Sequence, residues 1–166
     1  MIELVVVLVI LAIAAAIVVP MASSAGSMQL RAAVNMVAAD LEYAKSMSIS
    51  HGQRYAVVFD KTAEAYQIED LSQPAGGPDR IIEHPVKKGF KYVTNFRSDS
   101  RVAQVDIVDA TFDGANAVSF DYLGSPYSGT DSSASPMNRG VITLQAGGAT
   151  RTVSVEPVTG FISISN

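Results

Sequence analysis

An almost unbroken apolar run at the start of the chain, MIELVVVLVILAIAAAIVV, constrains the fold more than any other feature. Residues 4–19 carry no polar or charged side chain, and Pro20 closes the run. As a helix, residues 1–22 extend roughly 33 Å, which just covers the hydrocarbon core of a bilayer. Glu3 lies at the edge of this run, where a carboxylate is costly unless it has a partner. The run therefore predicts a single membrane helix that uses Glu3 for more than anchoring.

The rest of the chain is long enough for one globular domain. The 166 residues carry a formal net charge of -4, which argues against a general binder of nucleic acid or anionic lipid. There is no cysteine, so cysteine usage does not indicate a redox compartment. The apolar run also differs from an ordinary signal peptide, because no basic segment precedes it and it is longer than about 15 residues.

A second helical segment is predicted from about residue 28 to residue 50. Its apolar residues recur at steps of three and four, which places them along one stripe of a helix. That stripe comprises Leu30, Val34, Val37, Leu41, Ala44 and Met47. Pro20 and the small residues 22–27 predict a kink or local melting between the two segments. Gly52 suits the C-terminal cap. The helix is thus apolar all round in its first half and amphipathic in its second.

After Gly52 the apolar period changes to two, which predicts antiparallel strands. They are expected over 54–60, 64–70, 81–86, 90–96, 102–108, 117–122, 140–146, 151–156 and 161–165. Residues 73–79 and 124–138 are predicted loops, the second of them a mobile surface loop. The predicted fold is α+β, with a long N-terminal α-helix, hydrophobic and then amphipathic, packed on an antiparallel β-sheet domain. Its parts are a hydrophobic transmembrane and assembly half (1–27), an amphipathic half (28–52) and a β domain (53–166).

The sequence gives little support for catalysis. Its two histidines, His51 and His84, have no sequence partner that suggests a catalytic triad or a metal site. No phosphate-binding, dinucleotide-binding, hydrolase or metalloprotease motif occurs. We therefore predict a protein that is not an enzyme and that has no cofactor.

Cationic residues concentrate between residues 84 and 101, and aromatic residues are interleaved with them. The cations are Lys87, Lys88, Lys91, Arg97 and Arg101, and Asp99 is the one carboxylate among them. Such a basic stretch can bind single-stranded nucleic acid or another anionic partner. It is also typical of a solvated strand whose lysines protect a sheet edge. The anionic total favours the second interpretation and makes nucleic acid an unlikely partner.

Residues 102–138 have the opposite charge. They contain five aspartates and neither lysine nor arginine; the aspartates are Asp106, Asp109, Asp113, Asp121 and Asp131. Their spacing is not that of a Ca²⁺-binding EF-hand loop. They form either a solvated acidic face or a surface that complements the basic stretch of another subunit. Head-to-tail assembly needs two different complementary surfaces on each subunit, which these two stretches could supply.

Both ends of the sequence resemble one protein family. Ile2-Glu3-Leu4, the apolar run and Pro20 are similar to the N-terminus of type IV pilins and of type II secretion pseudopilins. Further segments resemble the minor pseudopilin branch called GspH/FimT, whereas residues 71–115 carry no motif of it. Those segments are LEYAKS (41–46), HGQ (51–53), FDYLG (120–124), GVITL (140–144) and VEPVTG (155–160).

The resemblance implies a structural subunit of a filament. It points first to a minor pseudopilin of a type II secretion system, which drives protein export by filament assembly. Such a subunit is held in the inner membrane by one helix, with its β domain in the periplasm. The alternative is a FimT-like minor type IV pilin that serves pilus assembly, adhesion or DNA uptake. A membrane-anchored binding protein outside the family is a third interpretation, and it would tolerate the loss of Glu3.

The resemblance also implies roles for the N-terminal residues. Ile2, Glu3, Leu4 and Pro20 would contact other pilin or pseudopilin subunits in a bundle of helices. The Glu3 carboxylate would pair with the N-terminal amine of a neighbouring subunit, which offsets its desolvation. In the family, a prepilin peptidase removes a basic leader, and the new N-terminus, four positions before the Glu, is methylated. Only Met1 and Ile2 precede Glu3 here. We therefore expect the natural start upstream, since the chain as printed could not be processed in this manner.

Overall fold

One long helix dominates the N-terminal third of the molecule. The computed structural model describes residues 2–131 and 133–165, and within these the side chains of all residues except 15–25. The helix α1 (Ile2–His51) continues through Pro20 and residues 22–27, so the local melting predicted there does not occur. Proline removes only one backbone donor, and the turns on either side of it remain hydrogen-bonded. Gly52 follows the helix with φ 65°, as expected of a C-terminal cap.

The amphipathic stripe of α1 forms the central part of the core. Leu30, Val34, Val37, Leu41 and Ala44 are all buried, which confirms their predicted inward orientation. The last position of the stripe is wrong, because Met47 is only half-buried and Ser48 occupies the buried position. The Ser48 hydroxyl donates to the Ala44 carbonyl at 3.0 Å and accepts from the Tyr55 amide at 3.2 Å. This serine therefore joins the end of the helix to the first strand.

Two antiparallel sheets pack against the helix. The first has the order β3-β2-β1-β5-β6-β7, and the second has the order β10-β9-β8-β4. The strands are β1 (Tyr55–Asp60), β2 (Ala65–Asp70), β3 (Val93–Asn95), β4 (Asp106–Phe112), β5 (Ala117–Phe120), β6 (Pro126–Ser128), β7 (Ser135–Pro136), β8 (Gly140–Ala146), β9 (Ala149–Val155) and β10 (Ile162–Ser165). A 3₁₀-helix, Phe96–Ser98, follows β3.

Four predicted segments differ from the structure. The strand predicted over 90–96 is confined to Val93–Asn95, and Phe96 belongs to the 3₁₀-helix. Residues 81–86 form no strand, and only the isolated bridges Glu69–Ile81 and Glu83–Lys91 occur there. The strand predicted over 102–108 begins at Asp106, because Val102 and Val105 are buried from a preceding turn rather than from a strand. The predicted loop 124–138 contains β6 and β7. In each case, pairing with segments distant in sequence decides where a strand forms. The apolar period of one segment does not indicate that pairing.

The core lies between α1 and the two sheets. The helix contacts strands of both sheets, namely β1, β5, β8, β9 and β10. Large aromatic residues fill the space, among them Phe59, Tyr66, Phe96, Phe112 and Phe120. The observed architecture is the α+β fold predicted from the sequence. Among the residues whose side chains are described, no helix has both the length and the apolarity needed to span a membrane.

Candidate functional site

The first part of α1 extends beyond the β domain as an exposed apolar rod. Every side chain from residue 2 to residue 14 is exposed, and Ile2 and Leu4 are 82% and 68% accessible. Glu3 lies in the first turn, where a carboxylate is favoured by the helix dipole. It has no hydrogen bond or ion pair among the residues that the structure describes. The predicted assembly residues Ile2, Glu3 and Leu4 are therefore accessible, whereas the side chain of Pro20 lies outside the described residues.

The helix meets the β domain at Gly26. This residue is buried, and a Cβ built on it would lie 3.0 Å from the Cα of Gly147. Gly147 and Gly148 form the turn between β8 and β9, and both have positive φ. The absence of a side chain at Gly26 thus allows the backbone of the helix to approach the backbone of this hairpin. The contact fixes the point from which the exposed part of α1 extends.

Most cations of the basic stretch are paired within the chain. Arg101 makes a bidentate contact with Asp99, with hydrogen bonds of 3.0 and 2.6 Å from Nε and Nη2. Arg97 pairs with Asp106, and Lys91 lies 3.7 Å from Asp79. These contacts neutralise three of the five cations that the sequence singled out. Lys87 and Lys88 form no ion pair among the described residues.

The two unpaired lysines lie on an exposed loop that also carries apolar side chains. Val86 is 82% accessible and Phe90 is 68% accessible. Residues 85–90, called the basic loop below, are exposed throughout. The loop is fixed at one end, because His84 Nδ1 accepts from the amides of Val86 and Lys87 at 3.1 and 3.3 Å. The basic loop therefore presents cationic and apolar side chains together on one exposed segment.

A half-buried carboxylate holds this region against the helix. Asp40 on α1 accepts hydrogen bonds from the hydroxyls of Tyr66 at 2.5 Å and Tyr92 at 2.8 Å. The ring of Tyr92 lies between Tyr43 and His84, with centroid distances of 5.5 and 4.7 Å. These contacts connect α1, strand β2 and the segment between β2 and β3. They fix the position of the basic loop relative to the helix.

Burial controls the ionisation of this cluster. Loss of water raises the pKa of Asp40 above its usual 3.8, and this effect outweighs the hydrogen bonds from Tyr66 and Tyr92. Burial and then the charge of Asp40 raise the pKa values of Tyr66 and Tyr92. Both phenols therefore stay protonated and remain donors to the carboxylate.

Asp40→Asn is expected to change how stability depends on pH. A folded-state pKa above 3.8 means that the folded protein binds the proton more readily than the unfolded chain. The contribution of Asp40 is then fully present below pH 3.8 and is lost as the pH rises through its folded-state pKa. We expect urea unfolding of the full chain in detergent to show a less negative slope of stability with pH, above pH 3.8, in Asp40→Asn.

A matched control for this experiment is Asp99→Asn. Its partner Arg101 lowers the pKa of Asp99 to about 2, so its stabilisation is present above pH 3.8 and is lost as the pH falls from 3.8 to about 2. The two variants should therefore act in different pH intervals and with opposite sign. An unchanged slope above pH 3.8 in Asp40→Asn would contradict the assignment of Asp40.

A cleft of about 590 Å³ lies between the cluster and the basic stretch. Asp40, His84, Lys87, Asp99 and Arg101 are among the residues that line it. Arg101 and Asp99 form an ion pair with each other. The hydroxyls of Tyr66 and Tyr92 donate hydrogen bonds to Asp40. No group of three His, Asp or Glu residues among the described ones is arranged to hold a metal ion. The lining offers no nucleophile paired with a base, so the cleft does not define a catalytic centre.

The aspartates of the acidic stretch also serve local roles. Asp106 pairs with Arg97, and Asp109 accepts from Lys61 at 2.9 Å. Asp113 accepts from the amides of residues 138 and 139, and Asp121 accepts from those of residues 123 and 125. The basic and acidic stretches thus partly neutralise each other inside one chain. Because these charges are paired within the chain, neither stretch presents its full charge to another subunit.

The sequence did not identify Asp40 as a central residue. Its carboxylate has the same chemical character as the exposed polar side chains of the helix, so the apolar period does not single it out. One signal was present, because Asp40 lies next to Leu41 and three residues after Val37, both on the stripe. Its partners Tyr66 and Tyr92 lie far away in sequence, so no local pattern reveals the contact.

Comparison with known proteins identifies the class. The family model for the type II transport protein GspH matches residues 33–159. The minor pseudopilin EpsH of the type 2 secretion system of Vibrio cholerae has a similar structure, with a TM-score of 0.58 and 10% identity over 82% of this chain and 96% of that one. The type IV minor pilin FimU of Pseudomonas aeruginosa gives a TM-score of 0.52 and 16% identity over 82% and 88%. No curated protein sequence matches the chain.

The fold is therefore that of a pilin-like structural subunit, and the chain is not an enzyme. It belongs to the GspH family, because the family model covers most of its length. This membership confirms the resemblance that the two ends of the sequence indicated. It also covers residues 71–115, where the sequence carried no motif of the family.

Proposed function

We propose that this chain is a minor pseudopilin that enters the short filament of a type II secretion system. The observation that carries the proposal is the exposed apolar rod with one carboxylate, Glu3, on a domain of the GspH family. Exposure of so many large apolar side chains is unfavourable in water, so the rod needs a bilayer or neighbouring helices around it. A filament supplies both in succession, since a subunit leaves the membrane as it assembles.

The proposal places the first half of α1 in the inner membrane and the β domain in the periplasm. Apolar residues 4–19 would form the centre of the membrane segment, and Pro20 would lie near its end. Cleavage by a prepilin peptidase and methylation of the new N-terminus belong to this proposal. The β domain, which begins at Tyr55, would then contact other subunits outside the membrane.

Glu3 would act as the register-setting residue of assembly. In a dry bundle of helices its charge must be compensated, and the N-terminal amine of a neighbouring subunit is a suitable partner. Pairing fixes how far one helix is displaced along the next, because only one displacement brings the two charges together. The mechanism is mechanical: each added subunit lengthens the filament, which moves exported protein towards the outside.

A minor type IV pilin is the second candidate. The structural likeness to FimU supports it, as do the unpaired Lys87 and Lys88 of the basic loop. In this case the chain would serve pilus assembly, adhesion or DNA uptake. The internal pairing of Lys91, Arg97 and Arg101 leaves a small cationic surface, which makes DNA the weaker of these options.

A strain that lacks the gene distinguishes the two candidates. We would measure exported protein in the culture medium and count surface pili on the same cells. Lost export with normal pili supports the pseudopilin. Normal export with lost pili, twitching or DNA uptake supports the minor pilin, and normal results in both assays would contradict a filament role. Complementation with the full gene is the control.

A further inference from the structure

One end of the β domain, called the rod end below, lies next to the exposed apolar rod. It consists of residues 26–31 of α1, the β8–β9 turn with its flanking residues (146–151) and the loop 99–106. Gly26 packs on the backbone of Gly147. The Gln29 side chain accepts from the Gln104 amide at 2.9 Å. These contacts bring the three segments to one level of the helix.

The unpaired charges of the rod end are positive. Its two carboxylates, both in the loop 99–106, are each paired with an arginine. Arg31 is exposed on α1, and Arg151 is half-buried on β9. Neither side chain forms an ion pair or a hydrogen bond among the residues that the structure describes. The rod end therefore presents two arginines without a counter-ion.

Arg151 is partly withdrawn from water. Alternate residues of a strand share one face, so Arg151 lies on the same face of β9 as the buried Val153 and Val155. A partly desolvated cation is unfavourable unless an anion approaches it. Met28 lies three residues before Arg31 and is 72% accessible, so an apolar side chain is exposed beside the cations. This combination suits a surface where apolar and anionic groups meet.

The rod end comes within reach of the headgroups of a membrane that holds the rod. Gly26 lies about 9 Å along α1 from Pro20, which closes the apolar run. The headgroup layer on each side of a bilayer is about 5–7 Å thick. Long side chains of a helix lean towards its N-terminus, so the guanidinium of Arg31 can cross the short distance that remains.

We propose that the rod end binds the phosphate groups of anionic phospholipids through Arg31 and Arg151. The inference rests on the proposed insertion of the rod in the membrane, and it names the contact that the β domain makes there. The net charge of -4 does not prevent this contact, because distant charges are screened beyond about 8 Å in physiological salt. The contact holds the domain on the bilayer surface and is broken when the subunit leaves the membrane to assemble.

Fluorescence quenching tests the proposal, because a chain without cysteine can be labelled at one introduced cysteine. Ala149→Cys places the fluorophore at the rod end. Val158→Cys places it near Gly160, whose carbonyl binds Lys45, about 28 Å along α1 from Gly26. The full chain is inserted into phosphatidylcholine vesicles with or without phosphatidylglycerol, and a quencher is attached to the lipid headgroups. We expect phosphatidylglycerol to increase quenching at Ala149→Cys alone. Equal quenching in the two lipids would overturn the proposal.

Matched variants show whether the two arginines carry the contact. Each basic residue near an anionic surface strengthens binding about fivefold, so Arg31→Gln with Arg151→Gln should lower the ratio of docked to undocked domain about 25-fold. Arg31→Gln alone changes an exposed side chain and should lower the ratio about fivefold, which keeps the test decisive if the double variant does not fold. Arg139→Gln removes another exposed arginine, next to the opposite end of β8, and should have no effect. An equal loss in Arg139→Gln would indicate a response to net charge and overturn the assignment.

Flotation of the same vesicles distinguishes this inference from the proposed function. A chain that floats with the vesicles but shows no dependence on phosphatidylglycerol overturns the headgroup contact and leaves the membrane helix intact. A chain that does not float overturns both the contact and the membrane helix. Raised salt should reduce the quenching at Ala149→Cys, because the contact is electrostatic and exposed to solvent. Quenching that persists in the double variant would contradict the role of Arg31 and Arg151.

Discussion

Glu3→Ala is expected to leave the protein folded and inserted in the membrane but to exclude it from the filament. The substitution leaves a neighbouring amine without its counter-charge inside a dry bundle of helices. Removing one partner of a buried ion pair costs about 3–5 kcal/mol, which corresponds to a loss of more than a hundredfold. The β domain should be unaffected, because Glu3 has no contact with any described residue of that domain. The measurement is the amount of the variant in sheared filaments relative to the amount in membranes.

Two further variants show whether the effect depends on the charge of Glu3. Glu3→Gln keeps the shape of the side chain and should fail almost as completely as alanine. Glu42→Ala removes another exposed glutamate of the same helix, whose contact with Lys45 is 3.6 Å long and whose own side chain is half exposed. Such a surface pair contributes about 0–1 kcal/mol, so incorporation should be normal. Incorporation of Glu3→Ala at the wild-type level would contradict the role assigned to the carboxylate.

Gly160→Ala is expected to give the largest loss of stability of any single methyl addition among the turn glycines described here. Gly160 has φ 59°, which disfavours any side chain, and an added Cβ would lie 2.5 Å from the backbone oxygen of Gly124. The strained φ contributes about 1–2 kcal/mol, and forced separation of the two turns adds about 1–3 kcal/mol. We expect a total of about 3 kcal/mol, measured by urea unfolding of the full chain in detergent.

Gly148→Ala is the matched control for this effect. Gly148 also has positive φ, 79°, but nothing lies within 4 Å of the position that its Cβ would occupy. Gly148→Ala should therefore lower the free energy of unfolding only through the strained φ, by about 1–2 kcal/mol. Equal losses for the two variants would mean that the contact between the turns at Gly124 and Gly160 is unimportant. A larger loss for Gly160→Ala than for Gly148→Ala supports the close packing of the turns at Gly124 and Gly160.

Elements with a strong local period could be predicted from the sequence. The stripe from Leu30 to Ala44 and the hairpin of β1 and β2 follow from spacing, because each buries one regular face. Ser48 shows the limit of this approach, because this small polar residue is buried where the spacing predicted Met47. Its hydroxyl can be buried because it donates to the Ala44 carbonyl and accepts from the Tyr55 amide. Residues 81–86 show a second limit. Their apolar character suggested a strand, but Pro85 lacks the backbone donor that continued pairing requires.

The candidate assembly surface was predictable in part. The exposed apolar rod with Glu3 follows directly from the composition of residues 2–14. The charge balance of the basic stretch does not, because the partners of Lys91 and Arg97 come from Asp79 and Asp106, on other segments of the chain. Sequence order likewise could not reveal that Leu123 and Val158 lie on adjoining turns. Such contacts depend on the sheet order, which brings distant segments together.

The most direct test is to detect the wild-type chain in the filament itself. Filaments sheared or extracted from cells with the full gene would be purified through a tagged major subunit and probed for this chain. We expect the wild-type chain to copurify with the filaments and Glu3→Ala to be absent from them, at equal levels of the two proteins in the membrane. Filaments that form normally and never contain the wild-type chain would contradict its role as a filament subunit.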